Sequence, residues 1–340
     1  MPRTAIMVAL VCSWLFSSSA FAWNRGEAQR FATLPAGTAH PEGIAVDADG
    51  NVYVADFDVS KAGPGQIVVF DPSGQHARVV DVAGSSNLLL GLDFHRVGRN
   101  VELLVIDFGG QKVLRVDPVT GASSIFTTIP GGAAAGPNAL TFDDAGNVYI
   151  SDSFQGVIWQ AAPTGGAVTS WAASPLLTTT GVPPFGANGL AFNKRRTALF
   201  VANTGNDTVV KIPVATRVAE VFVNSINGAD GLAIDDQDNI WVVANQADEI
   251  VVVEPAQGKA IAKLGDFDGL RNGSPVGLLF PASLAFHGDW VYVTNLALDL
   301  RLFNPTFNAV DSAWAAQVTR HTVARLPRRI PSMRDDKDDD

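Results

Sequence analysis

The segment HPEGIAVDADGNVYVADF (residues 40–57) reads as two short strands joined by a tight turn, and the chain repeats it. Ile44-Ala45-Val46 is the first apolar run. Asp47-Ala48-Asp49-Gly50-Asn51 is the turn, with Gly50 and Asn51 suited to positive φ. Val52-Tyr53-Val54-Ala55 is the second run. Close copies follow at 136–152 and 228–245, and weaker ones at 89–107, 186–203 and 281–295. The first apolar residues of the copies are Ile44, Leu92, Leu140, Leu190, Leu232 and Leu284. They recur about every 48 residues, a spacing expected of propeller blades, and no 3.6-residue periodicity competes with it.

Two further strands follow within a unit, Gln66–Phe70 and Ala77–Val80 in the first. Four antiparallel strands in each of six units predict an all-β chain, a six-bladed β-propeller over residues 23–330. Each blade buries its faces against its neighbours, so the set is one domain. Gln29–Leu34 reads as an outer strand without a blade of its own. It is expected to close the ring on the last blade near Leu300–Phe303, with His321–Leu326 as the competing outer strand.

The chain of 340 residues carries a formal charge of −10, 47% hydrophobic residues, 32 Gly and 19 Pro. That is a globular composition, and the acidic balance argues against nucleic acid, whose phosphates require a basic face. Arg3, the apolar run Ala5–Phe16 and Ala20-Phe21-Ala22 make residues 1–22 a signal peptide. The mature chain then begins at Trp23 and is secreted or periplasmic. No later apolar run reaches membrane-spanning length. The only cysteine, Cys12, lies in that leader, so neither a disulfide nor a thiolate metal site is expected in the mature chain. Residues 331–340 read as a disordered charged tail. A monomer is expected.

Strand direction places the residue before each first strand and the residue after each second strand on one face of the ring. Two positions before each anchor stand Glu42, Leu90, Asn138, Asn188, Asp230 and Ala282. Four are oxygen donors, two of them carboxylates, and ring symmetry brings them together at the axis. An all-oxygen set suits a hard divalent cation, Ca²⁺ foremost, and leaves coordination positions for water and substrate. Zn²⁺, Mn²⁺ or Mg²⁺ are alternatives for the same donors. The bland alternative is turn capping, which fits Asn and Asp but accounts poorly for Glu42. A second ring, Asp56, Asp107, Asp152, Asn203, Asn245 and Asn295, is polar in all six units. Its uniformity points to loop support, with Asp152, Asn203 or Asn245 as candidates for the pocket. His40 reads as a loop histidine, with a proton-shuttling role as the alternative. The turns at Asp47 and Asp235 resemble EF-hand loops only superficially, since they lack the closing glutamate and lie between strands.

Pro41-Glu42-Gly43, Pro137-Asn138, Asn188-Gly189-Leu190 and Asp230-Gly231-Leu232 resemble the SMP-30/gluconolactonase family, itself similar to paraoxonases and strictosidine-synthase-like propellers. The resemblance implies divalent-metal ligands at Glu42, Asn138, Asn188 and Asp230, with Asp230 also as general base. It implies a hydrolase of a lactone or related ester, a small-molecule substrate. Where the family has a substrate-binding arginine shortly before the third-blade asparagine, this chain has Gly136. The alternative reading is a non-catalytic NHL-like propeller that binds a protein, peptide or glycan on its top face.

Overall fold

The computed structural model describes residues 25–307 and 311–331. The expected leader with Cys12, and the charged tail beyond Pro331, lie outside the described residues. Within them stand six four-stranded antiparallel sheets arranged as the blades of a propeller, plus one two-stranded hairpin. Blades 1 to 5 begin with inner strands Pro41–Val46, Leu89–Val97, Pro137–Phe142, Ala187–Phe192 and Ala229–Ile234, and blade 6 with Pro281–His287. The extra hairpin, Phe267–Arg271 with Ser274–Gly277, accounts for the long interval before the last unit. The described helical segments are short 3₁₀ turns and the four-residue α-helix Ser312–Ala315.

Ring closure corrects the sequence reading. The two candidate outer strands do not compete. Thr322–Pro327 pairs with the second strand of blade 6, and Gln29–Thr33 pairs with Thr322–Pro327 as the outermost strand. Leu300–Leu302 is a 3₁₀ turn, not a strand. The last blade therefore takes strands from both ends of the described chain. Phe31 secures the closure edge-on against Tyr292, with ring centroids 4.8 Å apart. The core is distributed as aliphatic and aromatic layers between neighbouring blades, as successive clusters from Phe31–Phe70 to Trp241–Leu326 show.

The hairpin turns on the lower face are self-contained. Asp47 Oδ1 accepts the backbone N–H groups of Asp49 and Asn51, while its Oδ2 accepts from Asn51 Nδ2 and Tyr53 Oη. Asp143 and Asp235 repeat the arrangement with Asn147 and Tyr149, and with Asn239 and Trp241. Gly50 adopts positive φ (85°) and Asn51 does not, a small departure from the expectation. These carboxylates are engaged by protein donors, so the likeness to calcium loops ends there.

Candidate functional site

The innermost strand of every blade carries the same irregularity. Pairing runs Pro41↔Asp56 and then Ile44↔Val54, so Glu42 and Gly43 face one partner residue. Equivalent shifts fall before Leu92, Leu140, Leu190, Leu232 and Leu284. A β-bulge adds one residue and re-aims a side chain. Here the first bulged residue in blades 1 to 5, from Glu42 through Leu90, Asn138 and Asn188 to Asp230, lines a single central pocket. Ala282 of blade 6 is buried beside it and does not reach.

The second bulged residue explains the glycines. A Cβ on Gly43 would fall on the carbonyl oxygen of Leu90 in the next blade. One on Gly189 would lie 2.6 Å from the Asp230 carbonyl oxygen, and one on Gly231 2.6 Å from that of Ala282. In these three blades the bulge stacks on the next blade at a distance that hydrogen permits and a methyl group does not, while blades 3 and 6 carry Ala139 and Ser283 at the equivalent position.

All four predicted ligands converge. Glu42, Asn138, Asn188 and Asp230 are each about 5% exposed or less and line one pocket. Glu42 Oε2, Asn138 Oδ1 and Asp230 Oδ1 are buried with no hydrogen-bond partner. Such atoms are rare in folded proteins, and each calls for a ligand or a cost of roughly 1–3 kcal/mol. The amides are turned deliberately. Ser153 Oγ donates to the Ala187 carbonyl (2.7 Å), which leaves its lone pair for Asn138 Nδ2 (3.2 Å) and directs Asn138 Oδ1 to the pocket. Thr204 Oγ1 accepts from Asn188 Nδ2 at 3.0 Å. Ser153 and Thr204 directly follow the second strands of the two blades that carry asparagines, a pairing visible in the sequence but not recognised there.

The second ring divides. Asp56, Asp107 and Asp152 accept N–H groups from Ala39, Ser86 and Gly136, and Asn203 and Asn295 likewise fasten loops. In blade 5 the equivalent N–H, that of Gly228, bonds Asp207 instead. Asn245 is thereby freed: its Nδ2 donates to Asp230 Oδ2 at 2.8 Å, its Oδ1 has no partner, and it lines the pocket. Nothing in its immediate sequence distinguishes Asn245 from the other five. His40 is outside the pocket lining. Its Nδ1 lies 3.1 Å from the Leu296 carbonyl oxygen and 3.2 Å from His321 Nε2, and burial pulls both imidazole pKa values down, that of His321 to about 3.

Electrostatically the pocket disfavours two free carboxylates. Burial pushes the Asp230 pKa up to about 7, partly offset by the hydrogen bond from Asn245. Burial, then the Asp230 charge, pushes Glu42 well above the carboxylate range. Among the described residues no group of three or more His, Cys, Asp or Glu is placed to hold an ion, so an ion in this pocket would need the amide oxygens beside the carboxylate pair. Two carboxylates with orphaned amide oxygens fit a hard divalent cation, whose charge removes the repulsion. The rest of the lining is hydrocarbon: Phe57, Leu90, Pro183, Phe185, Phe280, Leu296, Leu298 and Leu300, around about 420 Å³ of atom-free space that includes the open mouth.

No curated protein sequence matches the chain. Residues 103–265 match the SMP-30/gluconolactonase/LRE-like region, and the segment holds Asn138, Asn188, Asp230 and Asn245. The chain carries an SMP-30/gluconolactonase/LRE-like region. The resemblance expected from four blade positions therefore holds. Residues 38–70, one blade, match an NHL repeat. Among solved structures, the chain is similar to a luciferin-regenerating enzyme at 17% identity, covering 89% of this chain and 95% of that one with a TM-score of 0.64. It is similar to a calcium-binding protein, regucalcin, from Agrobacterium tumefaciens, at 18% identity over 91% and 98% with a TM-score of 0.61. A streptogramin B lyase gives 16% over 81% and 82% with a TM-score of 0.56. At these identities the likeness establishes the propeller fold.

Proposed function

We propose that this protein is an exported, divalent-cation-dependent hydrolase of a lactone or related ester, with Ca²⁺ as the first-choice ion. The observation that carries the proposal is the set of buried, partnerless oxygens of Glu42, Asn138 and Asp230 in one pocket. Glu42, Asn138, Asn188 and Asp230 would hold the ion. When bound, a divalent cation polarises a carbonyl and stabilises the oxyanion that forms from it. The chain's own contributions are orientation and proton transfer. Ser153 and Thr204 fix the amide oxygens toward the axis. Asn245 holds Asp230 Oδ2, which leaves Oδ1 to take the proton of the attacking water. The hydrocarbon walls exclude competing solvent. Support also comes from the SMP-30/gluconolactonase/LRE-like match and from a structural neighbour named as calcium-binding.

The test is a lactone panel with the purified protein, with and without chelator, followed by calcium add-back. Turnover that EDTA abolishes and Ca²⁺ restores, and that Asp230→Ala removes, is the expected result. Full activity in the chelated protein or in Asp230→Ala sinks the proposal. Calcium-dependent stabilisation without turnover of any ester favours the NHL-like binding module instead. Export is tested separately: protein recovered outside the cytoplasm should begin at Trp23.

A further inference from the structure

We infer that the substrate bears a long apolar group beside its reacting carbonyl, an alkyl chain or an aryl ring, and that polyhydroxylated sugar lactones are discriminated against. This rests on the hydrolase reading above and sharpens it. The polar side chains of the pocket are those of the bulge residues, Asn245 and Thr204, while the rest of the lining is hydrocarbon. A sugar lactone would bring several hydroxyls against walls that cannot pair them. Each stranded hydroxyl costs between about fivefold and a hundredfold in affinity.

The apolar wall is a continuous construction. Phe185 stacks on Phe154, with centroids 5.8 Å apart and planes 29° apart, and both rings meet Phe108. Phe108 in turn meets Phe57 at 6.2 Å. Phe57 and Phe185 line the pocket, and Phe154 is 43% exposed, so the aromatic row leads from the reacting centre out to solvent. Gly136, close before ligand Asn138, belongs to the same construction. A Cβ there would lie 2.7 Å from the Phe154 ring, so any side chain at that position would displace the ring from its place in the row.

Phe280 completes the wall at a conformational cost. Its φ of 42° lies in the left-handed region, which a bulky residue rarely adopts. Asp248 Oδ1 holds it there by accepting the Phe280 N–H at 2.7 Å, and the Ala297 N–H bonds its carbonyl. Strain of this kind persists where the surroundings fix it, commonly at ligand sites.

The experiment uses the full purified protein with calcium. kcat/KM is measured for γ-lactones from butyrolactone to dodecanolactone and for glucono-δ-lactone, and calorimetry follows binding of the matching non-hydrolysable alkyl lactams. Each added methylene should raise kcat/KM by up to about fourfold until the pocket is filled. Gluconolactone should rank at or below butyrolactone. Phe185→Ala should flatten the chain-length slope, and Phe154→Ala, at the solvent end of the row, should weaken the longest lactones most. A flat series, or gluconolactone as the best substrate, overturns the apolar assignment while the hydrolase reading stands. If no lactone is turned over, the hydrolase reading falls and the lactams decide. Affinity that grows with chain length and is lost in Phe185→Ala sustains the apolar site; affinity independent of chain length overturns it.

Discussion

Asp230→Asn should make the metal-free protein more stable at neutral pH and the calcium-treated protein less stable than wild type. Burial raises the Asp230 pKa from 3.8 to about 7. Well below pH 3.8 the carboxyl is protonated in both folded and unfolded chains, and the residue is neutral to stability. Between pH 4 and 7 the unfolded chain ionises while the folded one retains its proton, so stability falls as pH rises. Above pH 7 the penalty is complete. About three pKa units at 1.36 kcal/mol each set it near 4 kcal/mol as an upper bound. Asparagine has the same shape and no charge, so the penalty disappears. At about 2–4 °C per kcal/mol, the variant in EGTA should melt several degrees higher than wild type at pH 8 and within about 2 °C of it near pH 4. Calcium at a hundred times its dissociation constant stabilises the wild type by about 2.7 kcal/mol, a gain the variant largely loses. Differential scanning fluorimetry across pH 4–9, with EGTA or calcium, reads both effects. A variant that melts below wild type in EGTA at pH 8, yet responds equally to calcium, refutes this account of the site.

Ser153→Ala and Thr204→Val should each weaken calcium binding about 10- to 100-fold, because the ligand amides lose the hydroxyls that orient them; calorimetric titration checks this. Gly43→Ala should destabilise the protein by about 1–3 kcal/mol or more in urea denaturation, since the new methyl group meets the Leu90 backbone, which cannot yield without separating two blades. Phe31→Ala should cost about 3–5 kcal/mol in the same assay, because the closing strand loses its ring against Tyr292 and Phe70. An unchanged denaturation midpoint for Phe31→Ala would show that the N-terminal strand does not secure the ring.

Much of this protein is legible in one repeated unit. The alternation of apolar runs with Asp-x-x-Gly-Asn turns gave strands, because backbone pleating and turn chemistry are local. The spacing near 48 residues gave the blades. Symmetry marks Glu42, Asn138, Asn188 and Asp230 as one set, because equivalent positions of a ring must converge on its axis. That these positions are bulges, which turn the side chains to the axis, follows from pairing two strands and cannot be seen in either alone.

Other features were decided by tertiary structure. Ring closure uses Gln29–Thr33 and Thr322–Pro327 side by side, a pairing between the two ends of the described chain that local pattern cannot rank. Asn245 joins the pocket because the Gly228 N–H is taken by Asp207 from the preceding blade. The apolar wall of Phe57, Phe185 and Phe280 gathers loops from three blades, and each phenylalanine read singly is an ordinary core residue. Local periodicity determines the repeat and the kinds of donor atoms at its centre. Which atoms are left without a partner depends on where every neighbouring hydrogen bond goes, and only the folded ring settles that.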